Sequence, residues 1–176
     1  TVASGNTSSD LDYASTSALA LNSGTIKDAV GNNATLTLAS PGVTNSLGRN
    51  KALVVDTTVP TISSVSLASD NSTIAVTMSE DVFDSNGGNL IASKFSYSIS
   101  GGTATLASST PTDLSKDGNV YTLVINYSSS FASGNETLTV NPVANSIYDA
   151  AGNVASESQS NNTVTLNKQT ISSVAS

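Results

Sequence analysis

An internal repeat constrains the fold of this chain more than any other feature of its sequence. Residues 61–65 (Thr-Ile-Ser-Ser-Val) recur as residues 170–174. Residues 26–32 (Ile-Lys-Asp-Ala-Val-Gly-Asn) are echoed by residues 147–153 (Ile-Tyr-Asp-Ala-Ala-Gly-Asn). Both separations are on the order of 110 to 120 residues, the length of one small domain. They differ by about a dozen residues, which we assign to an insertion at residues 41–50.

The phase of this repeat predicts the domain organisation. We expect the C-terminal part of one repeat at residues 1–57, one complete repeat at residues 58–168, and the first strand of a following repeat at residues 169–176.

Within the complete repeat, apolar residues alternate with a period of two, which is typical of strands that bury one face. Six strands follow from this pattern, marked by Val65 and Leu67; Ile74, Val76 and Met78; Phe95, Tyr97 and Ile99; Tyr121, Leu123, Ile125 and Tyr127; Leu138 and Val140; and Val164 and Leu166. A seventh strand is expected near residues 103–107, and the first block should contain strands at residues 18–21, 34–38 and 52–55. Short strands at this spacing, separated by Gly- and Asn-rich turns, predict an all-β fold of tandem immunoglobulin-like antiparallel β-sandwiches.

Composition excludes several classes of function. The chain has no Cys and no His, so thiol and imidazole catalysis and the usual zinc sites are ruled out, and any metal must be held by oxygen. A net charge of −7 provides no cationic surface for nucleic acid or anionic membranes. Apolar runs reach only four residues, as at residues 52–55, which is too short to span a bilayer. Glu80 and Asp81 are neighbours on one strand and face opposite ways, so they do not form a glycosidase pair, and we expect no enzyme activity.

Four segments resemble the bacterial Ig-like tandem repeats of large cell-surface proteins and adhesins. They are the linker at residues 55–62, the strand end at residues 78–82, the Lys-Phe-Ser-Tyr strand at residues 94–97, and the closing motif at residues 147–153. In addition, the segment from residues 10–13 through residues 28–32 looks like the end of another such repeat. The resemblance implies a sandwich fold, tandem display at a cell surface, a stalk or adhesive role, and calcium held by acidic residues near domain junctions. The second junction, residues 167–170, departs from the pattern because it lacks the Asp-Thr-Thr-x-Pro of the first.

Carboxylates and amides in the turns form a candidate calcium site. The motif Asp-x-x-Gly-Asn occurs twice and offers side-chain oxygens to a hard cation, although the same residues also form ordinary turns. Acidic residues at the linker and at a strand end would supply the remaining charge, or would be solvated loop carboxylates. The predicted ligands are Asp28, Asn32, Asp56, Glu80, Asp81, Asp149 and Asn153.

Two further loops and the glycosylation sequons are weaker candidates. Residues 113–119 imitate the start of a calcium loop, but Val124 stands where a bidentate Glu is required, so we predict a hairpin turn. Residues 84–89 are interpreted as a flexible loop first and as an ion-binding loop second. Asn-x-Ser/Thr sequons begin at Asn6, Asn33, Asn71, Asn126, Asn135 and Asn161, a number that chance explains, so glycosylation is not indicated.

Together these observations favour a structural, non-catalytic segment of a bacterial surface protein, an adhesin stalk or surface filament, located outside the cell or on its surface and stiffened by calcium. The expected partners are neighbouring repeats or identical subunits joined head to tail. The alternative is an adhesive module that binds a host or surface glycan or protein through its loops.

Overall fold

The fold is described by a computed structural model that covers residues 1–129 and 132–169. The regular structure within these residues is almost entirely β-strand in antiparallel sheets. Helix is confined to one α-helical turn at Leu47–Asn50 and one 3₁₀ turn at Ala92–Lys94. The predicted all-β fold class is therefore confirmed. No helix in the described part of the chain has the length and apolar character needed to cross a membrane.

The chain divides into two compact units, Thr1–Thr58 and Val59–Ser176, which we call unit 1 and unit 2. Of the predicted opening strand at residues 169–176, all but Gln169 lies outside the described residues.

Unit 2 contains nine described strands. They are β1 (Ile62–Leu67), β2 (Thr73–Met78), β3 (Phe95–Ser100), β4 (Thr105–Leu106), β5 (Leu114–Asp117), β6 (Val120–Val124), β7 (Tyr127–Ser129), β8 (Thr137–Pro142) and β9 (Thr163–Thr165). They form a four-stranded sheet in the order β1-β2-β6-β5, a three-stranded sheet in the order β3-β8-β9, and a small sheet of β4 and β7. Every pair is antiparallel.

The core of unit 2 is built by the inward faces of both larger sheets. Ile74, Val76 and Met78 of β2 are fully buried, as the period-two pattern predicts. The rings of Phe95 on β3 and Tyr121 on β6 lie 6.0 Å apart between their centroids, so the two sheets pack face to face in a sandwich-like arrangement. Burying one such apolar side chain contributes about 1.5 to 3 kcal/mol.

The structure adds two strands to the seven that were predicted: β5, and also β7, because the single strand predicted from Tyr121 to Tyr127 is divided into β6 and β7. β4 lies within the predicted seventh strand at residues 103–107, whereas β5 was not predicted. Leu114 is the only partly buried residue of β5. The other side chains of β5 are exposed at the edge of the sheet, so no apolar alternation marks this strand. The predicted hairpin at residues 113–119 is confirmed, since β5 pairs with β6 through a two-residue turn at Gly118 and Asn119.

Unit 1 differs from the expectation. The strands predicted at residues 18–21, 34–38 and 52–55 are absent, although all of unit 1 is described. Only isolated bridges form, between Ser8 and Val55 and between Lys27 and Asn33. No hydrophobic residue of unit 1 is buried. The prediction was wrong because alternation marks the face a strand would bury, but a stable strand also needs hydrogen-bonded neighbours and a cover for that face.

A carboxylate orders the predicted insertion in unit 1. Asp12 accepts a hydrogen bond from the backbone N–H of Gly42 at 3.0 Å. The fully buried Ser46 caps the helical turn by accepting from the backbone N–H of Arg49 at 3.2 Å. Residues 41–50 are thus held by polar contacts rather than by an apolar core.

Candidate functional site

The Asp149 loop of unit 2 is a closed, self-bonded turn. Oδ1 of Asp149 accepts hydrogen bonds from the backbone N–H of Ala151 at 2.9 Å and of Asn153 at 2.7 Å. Nδ2 of Asn153 donates to Oδ2 of Asp149 at 2.7 Å, and Gly152 has a φ of 91°. Asp149 is only 4% exposed. The carboxylate therefore organises the loop, as the ordinary-turn alternative requires, while its remaining lone pairs can still face a cation.

The Asp28 loop of unit 1 repeats this geometry. Oδ1 of Asp28 accepts from the backbone N–H of Val30 at 3.0 Å and of Asn32 at 2.8 Å. Nδ2 of Asn32 donates to Oδ2 of Asp28 at 2.9 Å, and Gly31 has a φ of 94°. The side-chain bond from Asn32, with the backbone bonds of the loop, lowers the pKa of Asp28. The repeated sequence motif thus folds into the same local structure twice.

A third loop of the same design stands beside the Asp149 loop in unit 2. Oδ1 of Asp84 accepts from the backbone N–H of Asn86 and of Gly88, both at 2.8 Å. The bonds from Gly88 and Asn86 lower the pKa of Asp84. Phe83 and Tyr148, which directly precede the two aspartates, form an antiparallel bridge. Residues 84–89, interpreted from sequence as a flexible loop, begin with this hydrogen-bonded turn.

The structure brings only some of the predicted calcium ligands together. Carboxylate oxygens of Glu80 and Asp149 lie within 4.8 Å of each other in unit 2. That separation suits two oxygen ligands of one hard cation. Asn153, another predicted ligand, is hydrogen-bonded to Asp149. Asp81 instead forms an ion pair with Lys116.

The remaining predicted ligands belong to unit 1. Asp28 and Asn32 lie in their own loop, and Oδ1 of Asp56 accepts from the backbone N–H of Thr58 at 2.9 Å. Membership of these three residues in a calcium site stays a prediction from the sequence.

Glu136 is an organising residue that the sequence reasoning missed. Its side chain is fully buried. Oε1 accepts from the backbone N–H of Thr103 at 2.7 Å, Ala104 at 3.1 Å and Ser133 at 3.0 Å, and Oε2 accepts from Gly134 at 3.0 Å. Burial by itself would raise the pKa of Glu136, but these N–H donors stabilise the ionised form and hold the pKa well below its usual range.

A signal for Glu136 was available in the sequence. Glu136 lies two residues before Leu138 and four before Val140, so it has the same parity along the chain as these inward-facing residues of β8. A carboxylate at an inward position must find donors, so this parity predicts a bonded buried group.

Asn71 is a second buried polar residue, 1% exposed, and its amide is fully engaged. Nδ2 donates to the backbone O of Asn167 at 2.8 Å, and Oδ1 accepts from the backbone N–H of Asn167 at 2.9 Å. In the folded chain this sequon is therefore closed to a glycosyl donor. The other sequon asparagines, Asn6, Asn33, Asn126, Asn135 and Asn161, are exposed.

These observations define an all-β protein whose turns are organised by carboxylates and amides. No protein-family model, curated protein or solved structure matches the chain.

Proposed function

We propose that the chain is a structural, non-catalytic segment of a bacterial cell-surface protein, built from tandem immunoglobulin-like domains. The observation that carries this proposal is the strand order of unit 2. The sheets β1-β2-β6-β5 and β3-β8-β9 correspond in chain order to the ABED and CFG sheets of the constant-type immunoglobulin sandwich. β4 and β7 are additions to that pattern.

The recurrence of the Asp-x-x-Gly-Asn loop supports the tandem arrangement. Asp28 and Asp149 stand at equivalent points of the sequence repeat and accept equivalent hydrogen bonds. A repeated loop in a second unit is what duplication of one domain would leave behind.

Calcium binding belongs to the same proposal. Glu80 and Asp149 would provide two anionic oxygens to a weakly bound Ca²⁺, which would tie the strand end after β2 to the Asp149 loop. Extracellular calcium modules bind with dissociation constants of about 10⁻⁴ to 10⁻³ M.

Association with a neighbouring repeat or a second copy is the proposed role of the unit 1 surface. Several large apolar side chains of unit 1 are exposed, among them Val30 at 83% and Val54 at 68%. Exposed apolar side chains of this kind would supply the contacts of such an association. Sedimentation velocity over a wide concentration range tests association with a second copy, and a chain that stays monomeric throughout would contradict that form of the role.

Single-molecule pulling tests the structural role. The whole chain is inserted between marker domains of known unfolding force. We expect one cooperative event from unit 2, in which about 110 residues at about 3.5 Å each release roughly 380 Å of chain. Unit 1 should extend without a force peak, because it has no buried hydrophobic core.

A core variant and a surface variant provide the controls. Leu138→Ala, at a fully buried position, should lower the unfolding force, while Val143→Ala, at a 36% exposed position, should not. Gradual extension of unit 2 without a force peak would contradict the structural role.

A further inference from the structure

Two adjacent loops of unit 2 form an open groove of about 590 Å³. Phe83 and Tyr148 hold the loops together, because each donates its backbone N–H to the other's carbonyl, at 2.7 Å and 2.9 Å. Asp84 and Asp149 follow directly, and all four residues line the groove. The groove is thus positioned by backbone pairing and not by mobile side chains.

The aromatic residues provide an apolar wall. Residues directly opposite in an antiparallel bridge project their side chains to the same side, and both Phe83 and Tyr148 line the groove. Both residues are half-buried, which leaves part of each side chain accessible. The Tyr148 hydroxyl donates to the backbone O of Asn145 at 3.0 Å, and Nζ of Lys116 lies 5.7 Å from the centroid of the Phe83 ring. The Tyr148 side chain is therefore anchored by a hydrogen bond before any ligand arrives.

The polar part of the lining accepts hydrogen bonds. Both loop bonds of Asp84 end on Oδ1, and its Oδ2 accepts none from the described residues. The backbone of Gly88 lies close to that carboxylate, since a Cβ at this position would be 3.2 Å from Oδ2. The carboxylates of Asp84 and Asp149 line the groove, and the nearby Lys116 is paired with Asp81, so the groove does not favour anions. A suitable ligand is uncharged, has hydroxyl groups to donate, and has an apolar face to lay against a ring.

We infer that this groove binds a neutral saccharide, with Phe83 and Tyr148 packing against the sugar ring and Asp84 accepting its hydroxyl groups. An open cleft with an aromatic wall and a few convergent polar groups is the general form of a small-ligand site, and aromatic side chains combine apolar surface with a defined orientation. The inference goes beyond the structural role and does not depend on it.

A printed array of neutral, sialylated and sulfated oligosaccharides tests the inference with the whole chain. We expect binding to at least one neutral glycan. An NMR titration of the ¹⁵N-labelled chain with that glycan should move the amide signals of Gly87 and Gly152, which line the groove.

Matched tryptophan variants locate the binding. Ser85→Trp places a bulky ring in the groove at an exposed position, and Ser158→Trp makes the same change at an exposed position in a second open groove, of about 580 Å³. Ser85→Trp should weaken binding at least tenfold, and Ser158→Trp should leave it unchanged. Asp84→Asn, which keeps the size of the side chain, serves as the second groove variant, and melting curves verify that each variant is folded. Absence of neutral-glycan binding, binding confined to anionic glycans, or equal binding by both tryptophan variants would overturn the inference.

Discussion

At the scale of single residues, buried polar groups define the local structure of unit 2. Glu136 ties the turn at Thr103 and Ala104 to the turn at Ser133 and Gly134 through four backbone N–H groups. Its contribution depends on charge, because an ionised carboxylate accepts these bonds more strongly than a protonated carboxyl group or an amide.

Replacement of Glu136 by Gln should destabilise the protein at neutral pH and weaken its sensitivity to acid. The pKa of Glu136 is lowered in the folded state relative to its unfolded value of about 4.3, so its contribution is complete above that value and is lost as pH falls towards the folded pKa. Urea unfolding at pH 7 and pH 3 should show a variant deficit that shrinks at pH 3. Glu157→Gln, at an exposed position, is the control, and an equal deficit at both pH values would contradict the charge-based account.

A pair of glycine substitutions separates backbone strain from close approach. Gly102 and Gly118 have φ values of 58° and 56°. A Cβ at Gly102 would lie 2.1 Å from Oε1 of Glu136, whereas a Cβ at Gly118 meets nothing within 4 Å. Gly118→Ala should therefore cost about 1 to 2 kcal/mol from the left-handed backbone alone. Gly102→Ala should cost clearly more in thermal melting, and similar losses for both would show that the Glu136 contact is not tight.

At the scale of elements, the segment after β9 is held from two sides. The backbone N–H of Leu166 donates to the carbonyl of Glu136 at 3.0 Å, and that of Gln169 donates to the carbonyl of Ala132 at 2.9 Å. On the other side, the amide of Asn71 binds both backbone groups of Asn167, as a neighbouring strand would. A side chain from the β1–β2 loop thus extends the sheet-like pairing beyond β9.

Asn71→Ala should release this segment. The backbone groups of Asn167 lose their partners, at a cost of about 1 to 3 kcal/mol. Trypsin should then cut after Lys168 faster under native conditions, as followed by mass spectrometry. Asn145→Ala is the matched control, because Asn145 also has a positive φ, 52° against 63° for Asn71, but is exposed. Equal cutting of both variants would mean that Asn71 does not hold the segment.

At the scale of the whole molecule, calcium should raise the stability of the protein. When the free calcium concentration is a hundred times the dissociation constant, binding to the folded state adds about 2.7 kcal/mol to the free energy of unfolding. The melting temperature should be higher in calcium than in chelator, and Glu80→Gln should remove the difference. Asp81→Asn should keep it, because Asp81 is paired with Lys116. Identical melting curves of the native chain in calcium and chelator would remove the calcium hypothesis.

Much of unit 2 could be predicted from its sequence because the relevant physics is local. The inward parity of Ile74, Val76 and Met78 follows from strand geometry, and the hairpin at Gly118 follows from turn chemistry. The repeated Asp-x-x-Gly-Asn loops close within five residues, so the local sequence also determines their geometry.

Tertiary structure alone decided the rest, because it depends on partners far apart in the chain. The exposed edge strand β5 exists because β6 lies beside it. Asn71 meets Asn167 across 96 residues and Glu136 meets Thr103 across 33, separations at which no local pattern operates. The pairing of Asp81 with Lys116 was equally unpredictable, whereas Glu80 and Asp149 had both been named from the sequence as ligands of one calcium site. In unit 1 the same alternating pattern formed no strands, because alternation selects a face, and only a hydrogen-bonded neighbour and a covering layer turn that face into a sheet.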